Sequence, residues 1–84
     1  MNMIRLKMLR KEKKFTQIKM QMLTGIDQSD YSKMERGLKS PTMENLVQFA
    51  LIFNTSIDFI VGITEDRRPH PRNKAAVEIQ EKFL

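Results

Sequence analysis

Apolar residues recur along this chain at helical rather than strand spacing. From Asn2 to Lys14, Leu6 and Leu9 lie three apart and Met8 lies four after Ile4. That spacing predicts a first helix with one apolar face and its basic residues on the other. Phe15, just past its end, is placed to fold back onto a core. Thr16 can cap a second helix from Gln17 to Leu23 or Thr24, and Gly25 can close it in the left-handed conformation. Asp27 is a second capping residue, for a third helix from Gln28 to Arg36 with Tyr31 and Met34 on its apolar side; Gly37 stops it. Thr42 can cap a fourth helix, Met43 to Phe53, whose predicted stripe is Met43, Leu46, Val47, Ala50 and Phe53. Asn54 tolerates a left-handed turn, Ser56 can cap a short fifth helix from Ile57 to Val61, and Gly62 ends it. Thr64 to Asn73 is polar, contains Pro69 and Pro71, and reads as a linker. A last helix, Lys74 to Phe83, carries Ala76, Ile79 and Phe83 on one face. No segment alternates with period two, so the expected fold is all-α: five short helices in a domain over residues 1–63, then a linker and tail helix over 64–84.

Composition narrows the function classes. Eighty-four residues support one small domain with little room for a deep cleft. There is no Cys, which excludes disulfides, thiolate metal sites and Cys nucleophiles and is compatible with a cytoplasmic setting. No apolar run approaches the ~20 residues of a membrane helix, and no signal-peptide stretch follows the first residues. The single His70 lies between prolines without a second ligand nearby, so neither a metal site nor a Ser-His-Asp arrangement is expected. No Gly-rich phosphate loop is present. The reading is therefore a binding protein without catalysis or cofactor.

Charge suggests the partner. The formal net charge is +5. Residues 1–19 carry seven basic side chains against Glu12 alone, whereas residues 43–66 carry four acids and no base. A basic half at one end of a small helical chain favours nucleic acid. Within residues 16–37, a capped short helix, a Gly turn and a second short helix with small polar exposed positions form a helix-turn-helix pattern. The second of these helices can enter a major groove. Gln28, Ser29, Ser32 and Lys33 supply donors and acceptors suited to base edges.

These residues resemble the phage-repressor and Cro class of helix-turn-helix proteins, the Xre-type bacterial regulators. The resemblance spans about residues 4–62. It rests on Leu9-Arg10, Thr16-Gln17, Gly25-Ile26, Gln28-Ser29, Ser32-Lys33, Glu35-Arg36-Gly37, Pro41-Thr42, Leu46, Ala50 and Ser56-Ile57-Asp58. The resemblance implies a repressor binding a palindromic operator in double-stranded DNA as a homodimer. It also implies residue roles: Gln28, Ser29, Ser32 and Lys33 at bases; Thr16, Gln17, Arg36, Lys39 and Ser40 at phosphates; and Arg10 with Glu35 as an ion pair bracing the third helix. Ile57 and Val61 of the fifth helix would form the dimer surface, with Ile79 and Phe83 of the tail adding to it. Two positions depart from the family pattern. Gln21 stands where a small Ala is usual and must find partners or reach outward. Tyr31 stands where an aliphatic residue is usual, and its hydroxyl needs a partner. Ile18 and Met22, four apart on the second helix, are a candidate dock for Ile79 and Phe83, in the same chain or a second copy. Three other uses of such a fold remain open: an antitoxin holding a protein toxin through the 64–84 tail, a restriction-modification controller, and an adaptor that binds protein rather than DNA.

Overall fold

The computed structural model describes residues 4–83, of Ile4 the backbone only. The predicted helix start at Asn2 and the apolar contact of Ile4 lie outside the described residues. Six helices follow one another: α1 (Ile4–Glu12), α2 (Gln17–Thr24), α3 (Gln28–Glu35), α4 (Met43–Ile52), α5 (Ile57–Ile60) and α6 (Lys74–Glu81). No strand occurs among the described residues.

Local chemistry sets the boundaries. Thr16 Oγ1 accepts from Lys19 N at 3.0 Å and opens α2. Gly25, at φ 77°, closes it by donating to Gln21 O. A side chain at that dihedral would strain against its own carbonyl, which glycine avoids. Thr42 and Asn45 form a reciprocal capping box at the start of α4, each side chain accepting from the other's backbone N–H at 3.0 Å. Ser56 opens α5 and Asn73 opens α6 in the same manner, by accepting from the N–H three residues on. Lys14 and Asn54 take positive φ, 59° and 50°, where the chain reverses after α1 and α4.

The core is built where these helices cross. α2 packs on α3, α1 on α3 and α5, and α4 on α5 and α6. Leu6, Met20, Tyr31, Phe49 and Ile60 are all fully buried. Tyr31 and Phe49 meet edge to face with centroids 5.9 Å apart, the arrangement the ring quadrupoles favour. Burial of each of the Leu, Met, Phe and Ile side chains contributes about 1.5–3 kcal/mol.

Three expectations about facing are corrected. Met8 is exposed, because the inward side of α1 is Leu6, Leu9 and Arg10. Met43 and Val47 are also exposed, and the buried row of α4 is Leu46, Phe49, Ala50 and Phe53. Leu51 and Ile52 are buried too, and both α5 and α6 pack on α4. On α6 the inward row is Ala76, Gln80 and Phe83, all half-buried, while Ile79 is exposed.

The predicted linker is tied down. Thr55 Oγ1 donates to Arg67 O at 2.6 Å. Arg67 pairs with Glu12 at 2.6 Å. Arg72 Nη2 donates to Thr55 O at 2.9 Å, and Gln80 Nε2 donates to Leu51 O at 3.2 Å. Arg5 donates to Phe59 O and Thr64 O and stacks on the Phe59 ring. Side chains thus add hydrogen bonds to the carbonyls of Leu51 and Phe59, at the ends of α4 and α5.

Candidate nucleic-acid interface

α3 is eight residues long, and a helix with its side chains is about 10–12 Å across, which fits the width of a B-DNA major groove. Its inward side is Tyr31, Met34 and Glu35, all buried. At 100° per residue the opposite side then carries Ser29, Lys33 and Arg36, which are exposed, with Gln28 and Ser32 half-buried at one flank. Asp27 Oδ2 accepts from Ser29 N at 3.1 Å. Gln21 Oε1 accepts from Gln28 N at 2.7 Å. Gln21 therefore stays at the surface, satisfies one of the open amides of α3, and locks the α2–α3 turn.

The start of α2 lies beside the start of α3. Gln28 Nε2 donates to Gln17 Oε1 at 2.8 Å, and Gln17 Nε2 donates in turn to Glu35 Oε1 at 3.1 Å. Glu35 is held bidentately by Arg10, at 2.6 Å from Nε and 3.1 Å from Nη2. Arg10 Nη1 also donates to Phe15 O. Both members of this pair are buried, Arg10 at 8% and Glu35 at 7% exposure, so it is not a surface contact of small worth. Burial pushes the Glu35 carboxyl up, but the donors around it, Arg10 first, outweigh burial and leave it below the ordinary carboxylate value. The Arg10 guanidinium is raised by the same contact. The Tyr31 hydroxyl lies next to this pair, buried and without a hydrogen bond of good geometry. Burial and the adjacent carboxylate push its pKa upward.

The remaining residues singled out in the sequence are distributed unevenly. Thr16, Arg36, Lys39 and Ser40 are exposed around α2 and α3. Lys39 Nζ sits 2.9 Å from Asp30 Oδ2, an ion pair that lowers the Asp30 pKa through Lys39 first and Lys33 after it. The sequence reading had not paired these two residues. Their i+9 separation crosses a Gly turn, and no helical period reveals it. Ile18 and Met22 are exposed, but α6 lies on α4, so within one chain they do not receive Ile79 and Phe83. Phe83, Ile57 and Val61 pack against the core of their own chain. Ile79 lines a groove of about 520 Å³ together with Val47, Leu51, Ile57 and Ala76. His70 is mostly exposed and 4.0 Å from Asp58. No cluster suited to a metal ion occurs among the described residues.

Two adjacent short helices, the second with a polar outward side and a braced inward side, define a helix-turn-helix DNA-binding domain. A helix-turn-helix family model matches residues 6–60, and the chain belongs to that Xre/Cro-C1-like family, whose members regulate transcription. The chain is 36% identical over 78 residues to the uncharacterized HTH-type transcriptional regulator YobD of Bacillus subtilis, covering 93% of this chain and 70% of that protein. It is 33% identical over 72 residues to the HTH-type transcriptional regulator AnsR of the same organism, covering 86% of this chain and 62% of that one. The chain thus spans about two thirds of the length of these relatives. No solved structure matches it significantly. No helix among the described residues is long and apolar enough to cross a membrane.

Proposed function

We propose that this protein is a sequence-specific binder of double-stranded DNA that represses transcription, acting as a homodimer on a palindromic operator in the cytoplasm. The observation that carries the reading is the outward side of α3, where Ser29, Lys33 and Arg36 stand exposed beside Gln28 and Ser32. In it, α3 enters the major groove. Gln28, Ser29, Ser32 and Lys33 meet base edges, and Thr16, Gln17, Arg36, Lys39 and Ser40 hold the flanking phosphates. Most of the affinity then comes from phosphates and falls steeply with salt. A single α3 covers only a few base pairs, which is why a second copy is invoked, two half-sites lying about one helical turn apart. Ile57 and Ile79, which share one groove, support a dimer surface there. Val61 and Phe83, packed inward on their own chain, would contribute at its edge.

The test is fluorescence anisotropy with the DNA upstream of the protein's own gene and with a scrambled duplex, at two salt concentrations. Tighter, cooperative binding to the upstream DNA is expected. Gln28→Ala should weaken specific binding by roughly 1–3 kcal/mol and relax one base position. Equal losses on specific and random DNA would remove α3 from the role of reader.

A further inference from the structure

The groove lined by Val47, Leu51, Ile57 and Ile79 also carries three groups able to hold charge: Asp58, His70 and Arg72. Arg72 differs from the other arginines away from α3. Arg5, Arg10, Arg67 and Arg68 each hold a carboxylate at 2.6 to 2.8 Å. Arg72 is half-buried and holds only carbonyls: its Nη2 donates to Thr55 O at 2.9 Å and to Ala50 O at 3.4 Å. Its Nε is buried without a hydrogen bond. Among the described residues no carboxylate lies within 4.0 Å of it. Asp58, about half exposed, has only His70 at 4.0 Å. Asp58 and Arg72 thus share one apolar groove without pairing inside one chain.

A second copy laid on this groove takes both charges out of water. Desolvating a charge that finds no counter-charge is costly, so opposite signs have to meet. In a two-fold dimer, residue i of one copy touches residue j of the other, and j touches i. With Asp58 or Arg72 on the axis, that residue would face its own like-charged copy. With the axis between them, over Leu51 and Ile57, each Asp58 faces Arg72 of the partner subunit, and the contact occurs twice. We propose that reciprocal Asp58–Arg72 ion pairs close the two ends of this groove and fix the register of the dimer. The partner this surface fits is therefore a second copy of the chain in one two-fold orientation. This rests on the homodimer reading above and adds two residues to it, one of them from the linker. The carbonyls of Thr55 and Ala50 hold the Arg72 guanidinium in place, so the strapped linker acts in assembly as well as in stability.

The experiment is analytical ultracentrifugation of the full chain over a dilution series, as wild type, Asp58→Arg, Arg72→Asp and the double swap, with thermal melting of each. Either single reversal sets like charges against each other twice per dimer and should raise the dimer dissociation constant about tenfold or more. The double swap restores opposite signs and should return to within about threefold of wild type. Arg72→Asp also gives up the bonds to Thr55 O and Ala50 O. Should it fail to fold, Asp58→Arg combined with Arg72→Gln carries the test, because glutamine keeps an N–H donor for Thr55 O while removing the opposing charge. That pair of changes should dimerise more tightly than Asp58→Arg alone. If the single reversals leave the dimer unchanged, or if neither combination recovers what Asp58→Arg loses, the ion pairs are overturned while the homodimer stands. A wild type that stays monomeric throughout removes the homodimer reading itself, and the ion pairs with it.

Discussion

Arg10→Met is the most informative single change to the fold. The side chain keeps an unbranched apolar stem but is shorter and loses the charge. Glu35 then stays buried at 7% exposure with its two shortest-range cationic donors removed. Leaving one member of a buried pair uncompensated costs about 3–5 kcal/mol. An 84-residue domain has about 4–13 kcal/mol in all, so the variant should be marginal at neutral pH. The loss should depend on pH in a defined direction. In the wild type the Glu35 pKa is lowered, so its contribution is present above the unfolded carboxylate value of about 4.3 and fades as pH falls through the lower folded value. In Arg10→Met, burial dominates and the folded pKa rises above the unfolded one, so acid relieves the variant. The gap between the two proteins should therefore narrow from pH 7 towards pH 4. Glu12, Asp30 and Asp66 titrate in both and largely cancel in the difference. Urea unfolding at several pH values measures it. Arg10→Met combined with Glu35→Leu should recover most of the loss, since an apolar pair leaves no charge unpaired. A loss under 1 kcal/mol at pH 7, or a gap that widens in acid, would show that the pair is solvated in solution and refute the reasoning.

Other perturbations separate backbone, tail and interface effects. Gly25→Ala should cost about 1 kcal/mol, or a fall in Tm of roughly 4–8 °C, from strain at φ 77° alone, because a Cβ there meets nothing within 4 Å. Asn at this position should cost less, and a loss for Ala above about 3 kcal/mol would imply a steric contact. Truncation after Gly62 should destabilise by about 2 kcal/mol or more, since it removes the bonds from Arg5 to Thr64 O, from Thr55 to Arg67 O and from Gln80 to Leu51 O, along with Phe83. An unchanged melting temperature would mean that the tail is not docked. Lys39→Ala should weaken all DNA sequences alike and reduce the salt slope by about 1. An unchanged slope would mean that Lys39 stays on Asp30 in the complex.

The helices and their ends were legible along the chain because caps and stops are local. Thr16, Asp27, Thr42 and Ser56 each accept from an amide two or three residues on, and Gly25 and Gly37 take the left-handed turns. These contacts involve neighbours in sequence, so residue type and spacing determine them. The outward polar side of α3 was legible for the same reason, through the helical period of Tyr31 and Met34. Facing was less so at α1 and α4. Their patterns allowed more than one apolar stripe, and only the helices stacked against them decide that Phe49 is buried while Met8, Met43 and Val47 are not.

What tertiary structure alone decided are the contacts between distant side chains. The 64–73 segment has the composition of a free linker, yet Arg5 and Arg72 bind carbonyls seventeen or more residues away and hold it. The Arg10–Glu35 pair could be anticipated by resemblance, but its burial, and the line of amides from Glu35 through Gln17 to Gln28, exist only where α1, α2 and α3 converge. Sequence determines where helices begin, end and turn their polar sides, because hydrogen bonds across one turn decide it. Which charges are dry, and which way an amide points, depends on what the rest of the chain places beside them, because desolvation and hydrogen-bond polarity belong to the surroundings of a side chain rather than to its type.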